Sequence, residues 1–166
     1  MRLFWLSASL IFILDRFSKY LILKAQFEKI EILPILNIVK VWNKGIAFGL
    51  FSKTGIFSTI LLIFVTLVVL LIIYVWAKKI YFQNKKDKIS LISLGMLLGG
   101  GLGNLIDRIF FGKVFDFIDL HIKNLHWPVF NVADIAVTLA LFLLIYKALK
   151  IRNVFCLLYT SDAADE

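Results

Sequence analysis

Residues 54–77 read TGIFSTILLIFVTLVVLLIIYVWA, twenty-four positions without a single charge. At about 1.5 Å of rise per residue, a helix of this length crosses the roughly 30 Å hydrocarbon core of a bilayer and satisfies its own backbone polar groups there. The stretch therefore places the chain in a membrane. The rest of the 166 residues agree: 61% are hydrophobic, 18% are charged and the mean hydropathy is +0.90, which no ordinary soluble domain carries.

Outward from that segment, Ile89 to Ile106 is also uncharged and carries Gly95, Gly99, Gly100, Gly101 and Gly103. Such glycines weaken a helix in water but let helices approach closely in lipid. Leu3 to Leu23 and Val129 to Tyr146 are long enough to cross, although Asp15, Arg16 and Lys19 interrupt the first and Asp134 the second. The expected fold is an all-α integral membrane protein. One domain over residues 1–152 holds four transmembrane helices near 3–23, 54–77, 89–107 and 129–147, with a small β-rich extracytoplasmic segment between the first two. That segment, Ile30 to Leu50, shows β-branched alternation, Pro34 and an Asn43-Lys44-Gly45 turn. Arg108 to Pro128 reads as a loop, and residues 153–166 as a disordered tail unlike the rest in charge and pattern.

Orientation follows from the basic residues. Lys78, Lys79, Lys85, Lys86 and Lys88 face one Asp87 in the turn between spans two and three, and with Arg2, Lys147, Lys150 and Arg152 they mark a cytoplasmic face. Both termini are then cytoplasmic. The net charge of +8 is scattered over loops without an aromatic-interleaved patch, so lipid headgroups, not nucleic acid, are the expected partners. Cys156 alone supports neither a disulfide nor a zinc site. Asp15-Arg16 stands where a signal peptide would need small residues, so the first span is expected to remain.

Ionisable groups in membrane helices are costly and point to function. Asp15 and Lys19, at i and i+4, share a helical face and read as a structural ion pair. Asn43 and Gly45 suit either a plain turn or an amide that grips an extended peptide backbone. The run Gly99 to Arg108 lacks a Gly-Lys-Ser/Thr ending, so its glycines suit helix packing and not phosphate binding. Asn104 and Arg108 lie on one face, and Asp107 has Arg108 or Lys19 as a partner. Asn131 is placed to cap the fourth helix, with Asp134 in its first turn.

Asp116 and Asp134 bring the chemistry. The expected topology puts Asp116 just after span three and Asp134 at the opening of span four, both at the outer boundary, and because those helices are neighbours the two can meet. Two close carboxylates share a proton, so one can act as base on a water and the other as acid toward a carbonyl. That is aspartic-protease chemistry without a metal or other cofactor. His121 and His126 have no His-Glu-x-x-His context and read as interfacial loop residues. There is no Gly-x-Ser-x-Gly elbow, and Ser18 and Lys19, as helix neighbours, point apart.

In order along the chain, Asp15 with Lys19, Asn43-x-Gly-x-Ala-Phe, Gly100-Gly-x-Gly-Asn-x-x-Asp-Arg108, Val114-x-Asp-Phe117 and Phe130-Asn-x-Ala-Asp134 resemble the boxes of the bacterial lipoprotein signal peptidases, signal peptidase II, over roughly residues 3 to 150. The resemblance implies an inner-membrane aspartic endopeptidase that cuts prolipoproteins before a diacylglyceryl-modified cysteine, and a monomer among membrane lipids is the expected working form. It implies Asp116 and Asp134 as the catalytic pair and Asn43, Gly45, Asn104, Arg108 and Asn131 as substrate-binding residues. Asp15, Lys19, Asp107 and Asp119 would support them. From physics alone, a proton-coupled transporter or channel remains the alternative, although the acids lie at one face and no inverted repeat is visible.

Overall fold

The computed structural model describes residues 1–45 and 55–162, with side chains as far as residue 150. Ile46, Ala47, Phe48 and Leu50 of the second box and its flank lie outside the described residues. The elements run α1 (Arg2–Lys24), β1 (Lys29–Leu33), β2 (Leu36–Asn43), α2 (Gly55–Gln83), α3 (Lys88–Phe111), β3 (Val114–Ile122), β4 (Leu125–His126) and α4 (Val132–Asp162). By length and composition α2, α3 and residues 132–150 of α4 suit a bilayer; α1 has the length but carries Asp15, Arg16 and Lys19. Large apolar side chains such as Ile56, Phe57, Phe64, Phe142 and Ile145 are exposed, as on helices whose solvent is hydrocarbon.

Helix α3 is the hub, packed against α1, α2 and α4. Its glycines explain how three neighbours fit around one helix. A Cβ on Gly95 would stand 2.3 Å from the Phe4 carbonyl oxygen, one on Gly99 2.3 Å from that of Ala8, and one on Gly103 2.4 Å from Asp15 Oδ2. Spaced four apart, these three form the groove that receives α1. Gly100 faces the Ala133 carbonyl of α4 at 2.9 Å, whereas Gly101 faces only the end of the Leu70 side chain of α2, at 2.7 Å. Gly99→Ala is therefore expected to lose about 1–3 kcal/mol, because backbone must move, and Gly101→Ala distinctly less. Detergent-titrated unfolding of the two variants checks this; equal losses would remove the groove from the account.

The strands form one antiparallel sheet in the order β1-β2-β3-β4. The segment between α1 and α2 is β-rich as expected, but the reading of residues 108–128 as a loop is corrected: β3 and β4 lie there. Val114-Phe-Asp-Phe-Ile-Asp-Leu-His-Ile122 is rich in the β-branched and aromatic residues that favour strands, and β2 offers it a complementary edge, with Asn37 opposite Asp119, Val41 opposite Asp116 and Asn43 opposite Val114. At the other end of the bundle, Asp87 caps α3, accepting the Ser90 N–H at 3.2 Å. Lys147 of α4 pairs with Asp87 and donates to Ser90 Oγ at 2.7 Å, fastening the lysine-rich turn to the last helix. The backbone of α4 continues to Asp162, through ten residues of the stretch read as a disordered tail; no glycine or proline stops the helix there.

Candidate active site

The site is assembled where α3 turns into β3 and where α4 begins. Gly112 ends α3 in the left-handed conformation (φ 66°), its N–H bonding Arg108 O at 3.0 Å, and so turns the chain directly into β3. In β3, Asp116 is buried and receives two amides: Asn43 Nδ2 donates to its Oδ2 at 3.1 Å and Asn131 Nδ2 to its Oδ1 at 2.6 Å. Asn43 Oδ1 accepts the Gly45 N–H at 2.9 Å, which fixes which way the Asn43 amide faces.

Phe130 ties the start of α4 to this strand, exchanging backbone hydrogen bonds with Ile118 at 3.1 and 2.8 Å. The next residue, Asn131, caps α4 by accepting the Asp134 N–H at 3.1 Å, while Asp134 Oδ2 accepts the Asn131 N–H at 3.1 Å. This is a reciprocal capping box. Asn131 is thus both the expected cap and a bridge, fully buried between the two carboxylates.

Behind Asp134 lies a chain of polar groups that leads into the bundle. Lys19 Nζ reaches Asp15 Oδ2 at 2.9 Å, Asp107 Oδ2 at 2.8 Å and Asn104 Oδ1 at 3.0 Å, so the three N–H bonds of its ammonium have three acceptors. With Asn104 Oδ1 also accepting Asn131 Nδ2 at 3.1 Å, the Asn104 amide is left to donate to Asp134 Oδ1 at 2.9 Å. Asp15 Oδ1 accepts the Ala133 N–H of α4 at 3.1 Å. Of the two partners expected for Asp107, Lys19 is found, and Arg16 joins it.

A cavity of about 610 Å³ opens against these groups. Asn43, Gly45, Asn104, Arg108, Asp116 and Asp134 line its polar end, and Leu120, Trp127, Pro128, Val129, Ile135, Val137 and Leu139 its apolar walls. The expected substrate-binding residues therefore converge, with Asn131 just beneath the surface. Asp15, Lys19 and Asp107 lie behind the cavity, whereas Asp119 stands further along β3, bonded to Asn37 and His126. The reading of His121 and His126 as interfacial loop residues is thus corrected: they lie in β3 and β4, and His126 bonds Asp119. Asn37 was missed; its signal is a polar residue inside a strand, opposite an aspartate, with no solvent around it. Among the described residues, no group of three or more His, Cys, Asp or Glu has the geometry to hold a metal ion.

Burial, and then the nearby charge of Asp134, raise the carboxyl of Asp116 from 3.8 to about 6; the two asparagine hydrogen bonds only partly offset this. Around the cavity and behind it, Asp15, Asp107, Asp116 and Asp134 face Arg16, Lys19 and Arg108, one acid more than there are bases.

Comparison with known proteins shows the family. Residues 7–150 match the family model described as Signal peptidase (SPase) II. The lipoprotein signal peptidase of Thermodesulfovibrio yellowstonii is 42% identical over 147 residues, covering 87% of this chain and 93% of that protein. That of Pelagibacter ubique is 45% identical over 147 residues, covering 86% and 85%. A solved structure, described as a bacterial membrane enzyme determined by the in meso method at 2.3 Å, superposes with a TM-score of 0.72 at 31% identity over 87% of this chain and 86% of that one. The chain belongs to the signal peptidase II family.

Proposed function

We propose that Asp116 and Asp134 are the catalytic pair with which this peptidase removes signal peptides from prolipoproteins, cutting before a diacylglyceryl-modified cysteine. The observation that carries the reading is that both carboxylates line one cavity and are joined through Asn131. In the proposed topology all four helices cross the inner membrane, the termini are cytoplasmic and the sheet lies at the outer face. A lipidated substrate then arrives within the bilayer, and its scissile bond meets water at the interface. The lysine-rich α2–α3 turn at the opposite end of the bundle supports this orientation.

The chemistry follows from the charge balance. A low-dielectric site with one surplus acid is relieved by one proton, and the raised carboxyl of Asp116 is its natural seat. Asp134 takes a proton from a water held between the carboxyls as its oxygen attacks the scissile carbonyl carbon. Asp116 gives its proton to the carbonyl oxygen, forming a neutral tetrahedral diol. In the collapse Asp134 gives its proton to the leaving nitrogen and Asp116 takes one from a diol hydroxyl, so that the carbonyl re-forms, the C–N bond breaks and both acids return to their starting states. Arg108, Asn43 and Asn104 at the polar end offer donors to substrate carbonyls, and the apolar walls hold the acyl chains and side chains. The protein acts as a monomer among membrane lipids.

The first test is incubation in detergent with a diacylglyceryl-modified prolipoprotein and location of the cut by mass spectrometry, with and without chelator. Cleavage before the lipidated cysteine, indifferent to chelator, is expected; intact substrate with folded enzyme would sink the proposal. The pH profile follows from the sign of the Asp116 displacement. Because the acid must be protonated, kcat/KM is expected to fall as pH rises through an apparent value of about 6, which belongs to the pair as a whole. A rate flat from about pH 5 to about 8 would contradict it.

A further inference from the structure

We propose that Asp119 and His126 are positioning residues for the substrate, a side-chain latch on the far face of β3 that sets the cavity wall formed by Leu120 and Trp127 to Val129. The inference rests on the catalytic reading above for what the wall contacts, but its geometry stands apart. Along β3, Asp116 and Leu120 face the cavity. Asp119 belongs to the alternate face, where it is buried. Its Oδ2 accepts Asn37 Nδ2 of β2 at 2.9 Å and its Oδ1 is 2.8 Å from His126 Nδ1 of β4, so one carboxylate joins three strands. Burial alone would raise this carboxyl, but the hydrogen bonds from His126 and Asn37 outweigh it and hold it below the usual carboxylate range. The carboxylate is the form that accepts both bonds.

The wall needs such a latch. β4 is only two residues long, and the turn before it holds Lys123 at φ 54°, a conformation that non-glycine residues seldom adopt. After His126 the chain runs through Trp127, Pro128 and Val129 without strand pairing until Phe130 meets Ile118. Between those points the Trp127 N–H bonds Leu120 O at 2.8 Å, and Pro128 has no N–H to offer. The segment thus runs from the short β3–β4 pairing, the Trp127 bond and the latch at one end to the Phe130 bridge at the other, and the latch is the side-chain part of the first anchor. His121 stands opposite His126, with ring centroids 5.0 Å apart. Nothing in it reaches the reacting atoms, so its loss should weaken binding without slowing chemistry.

The test compares His126→Ala with His126→Asn, whose amide nitrogen can occupy the place of Nδ1 and donate to Asp119. Because His126 is half exposed, neither change should unfold the protein. For His126→Ala, KM is expected to rise about fivefold with kcat held within about twofold. Amide hydrogen exchange across residues 120–130 should quicken, and His126→Asn should restore both readouts. Unchanged KM and exchange in His126→Ala, or a fall in kcat at constant KM, would overturn the proposal. Exchange is read without substrate, so faster exchange in an enzyme that cleaves nothing would uphold the latch while rejecting the catalytic reading.

Discussion

Asparagine in place of Asp116 is expected to abolish prolipoprotein cleavage, by about a thousandfold or more, while making the folded protein more stable at neutral pH. The two effects share one cause. The native site raises the Asp116 carboxyl from 3.8 to about 6, so the folded chain binds this proton more tightly than the unfolded chain does. Stability from this group is greatest in acid and declines as pH climbs from about 4 to about 6, and above that the burden of the charged form is constant at about 3 kcal/mol. The amide keeps the size and some of the hydrogen bonds of the acid and carries no charge, so the burden disappears with the proton. Asp134→Asn should be equally inactive but without the gain. There the charge sits in the first turn of α4 and caps the Asn131 N–H, a place that favours an anion by about 0.3–1 kcal/mol. Cleavage assays beside unfolding curves at about pH 5 and pH 8 test both. A destabilised, partly active Asp116→Asn would mean that the acid is structural.

Lys19→Ala is expected to give the largest loss of fold, about 3–5 kcal/mol, since it strips the ammonium from between Asp15 and Asp107 and leaves buried anions short of a partner. Arg16 compensates Asp107 but does not reach Asp15. Adding Asp15→Asn to the lysine variant should therefore recover part of the loss, through the coupling that neighbours in one network display. Yield of folded protein and detergent-titrated unfolding measure this. Additive losses in the double variant would rule out Lys19 as the counter-charge of Asp15.

How much of this was legible along the chain depended on range. The uncharged runs marked α2 and α3, and the i, i+4 spacing of Asp15 and Lys19 foretold their pairing, because both signals act within a few turns of one helix. Topology brought Asp116 and Asp134 to one boundary and the family pattern added Asn131, but neither told which groups join them. That depends on Phe130 pairing with Ile118 and on Asn43 meeting Asp116 across 73 residues of sequence. The junction of Lys19 with Asp107 and Asn104 spans the first and third helices, and no local spacing encodes it. β3 carries no clean alternation, since Asp116 and Asp119 fall on opposite faces of the strand, and its pairing with β2 across the sequence is what makes it a strand. Asn37 gains its meaning only from Asp119 on another strand.

The hub position of α3 and the capping box of α4 also bear on how the enzyme comes into being. One carboxylate is ordered by a strand that follows the third helix, the other by the first turn of the last, and the amide aiming the second is itself aimed from the first helix. Without α4, the rest of the fold presents Asp116 but lacks Asn131 and Asp134, the groups that join it. On the proposed catalytic reading, a form of the molecule in which α4 is not docked therefore holds one of the two acids without the other, and proteolytic power is withheld from it until that helix seats.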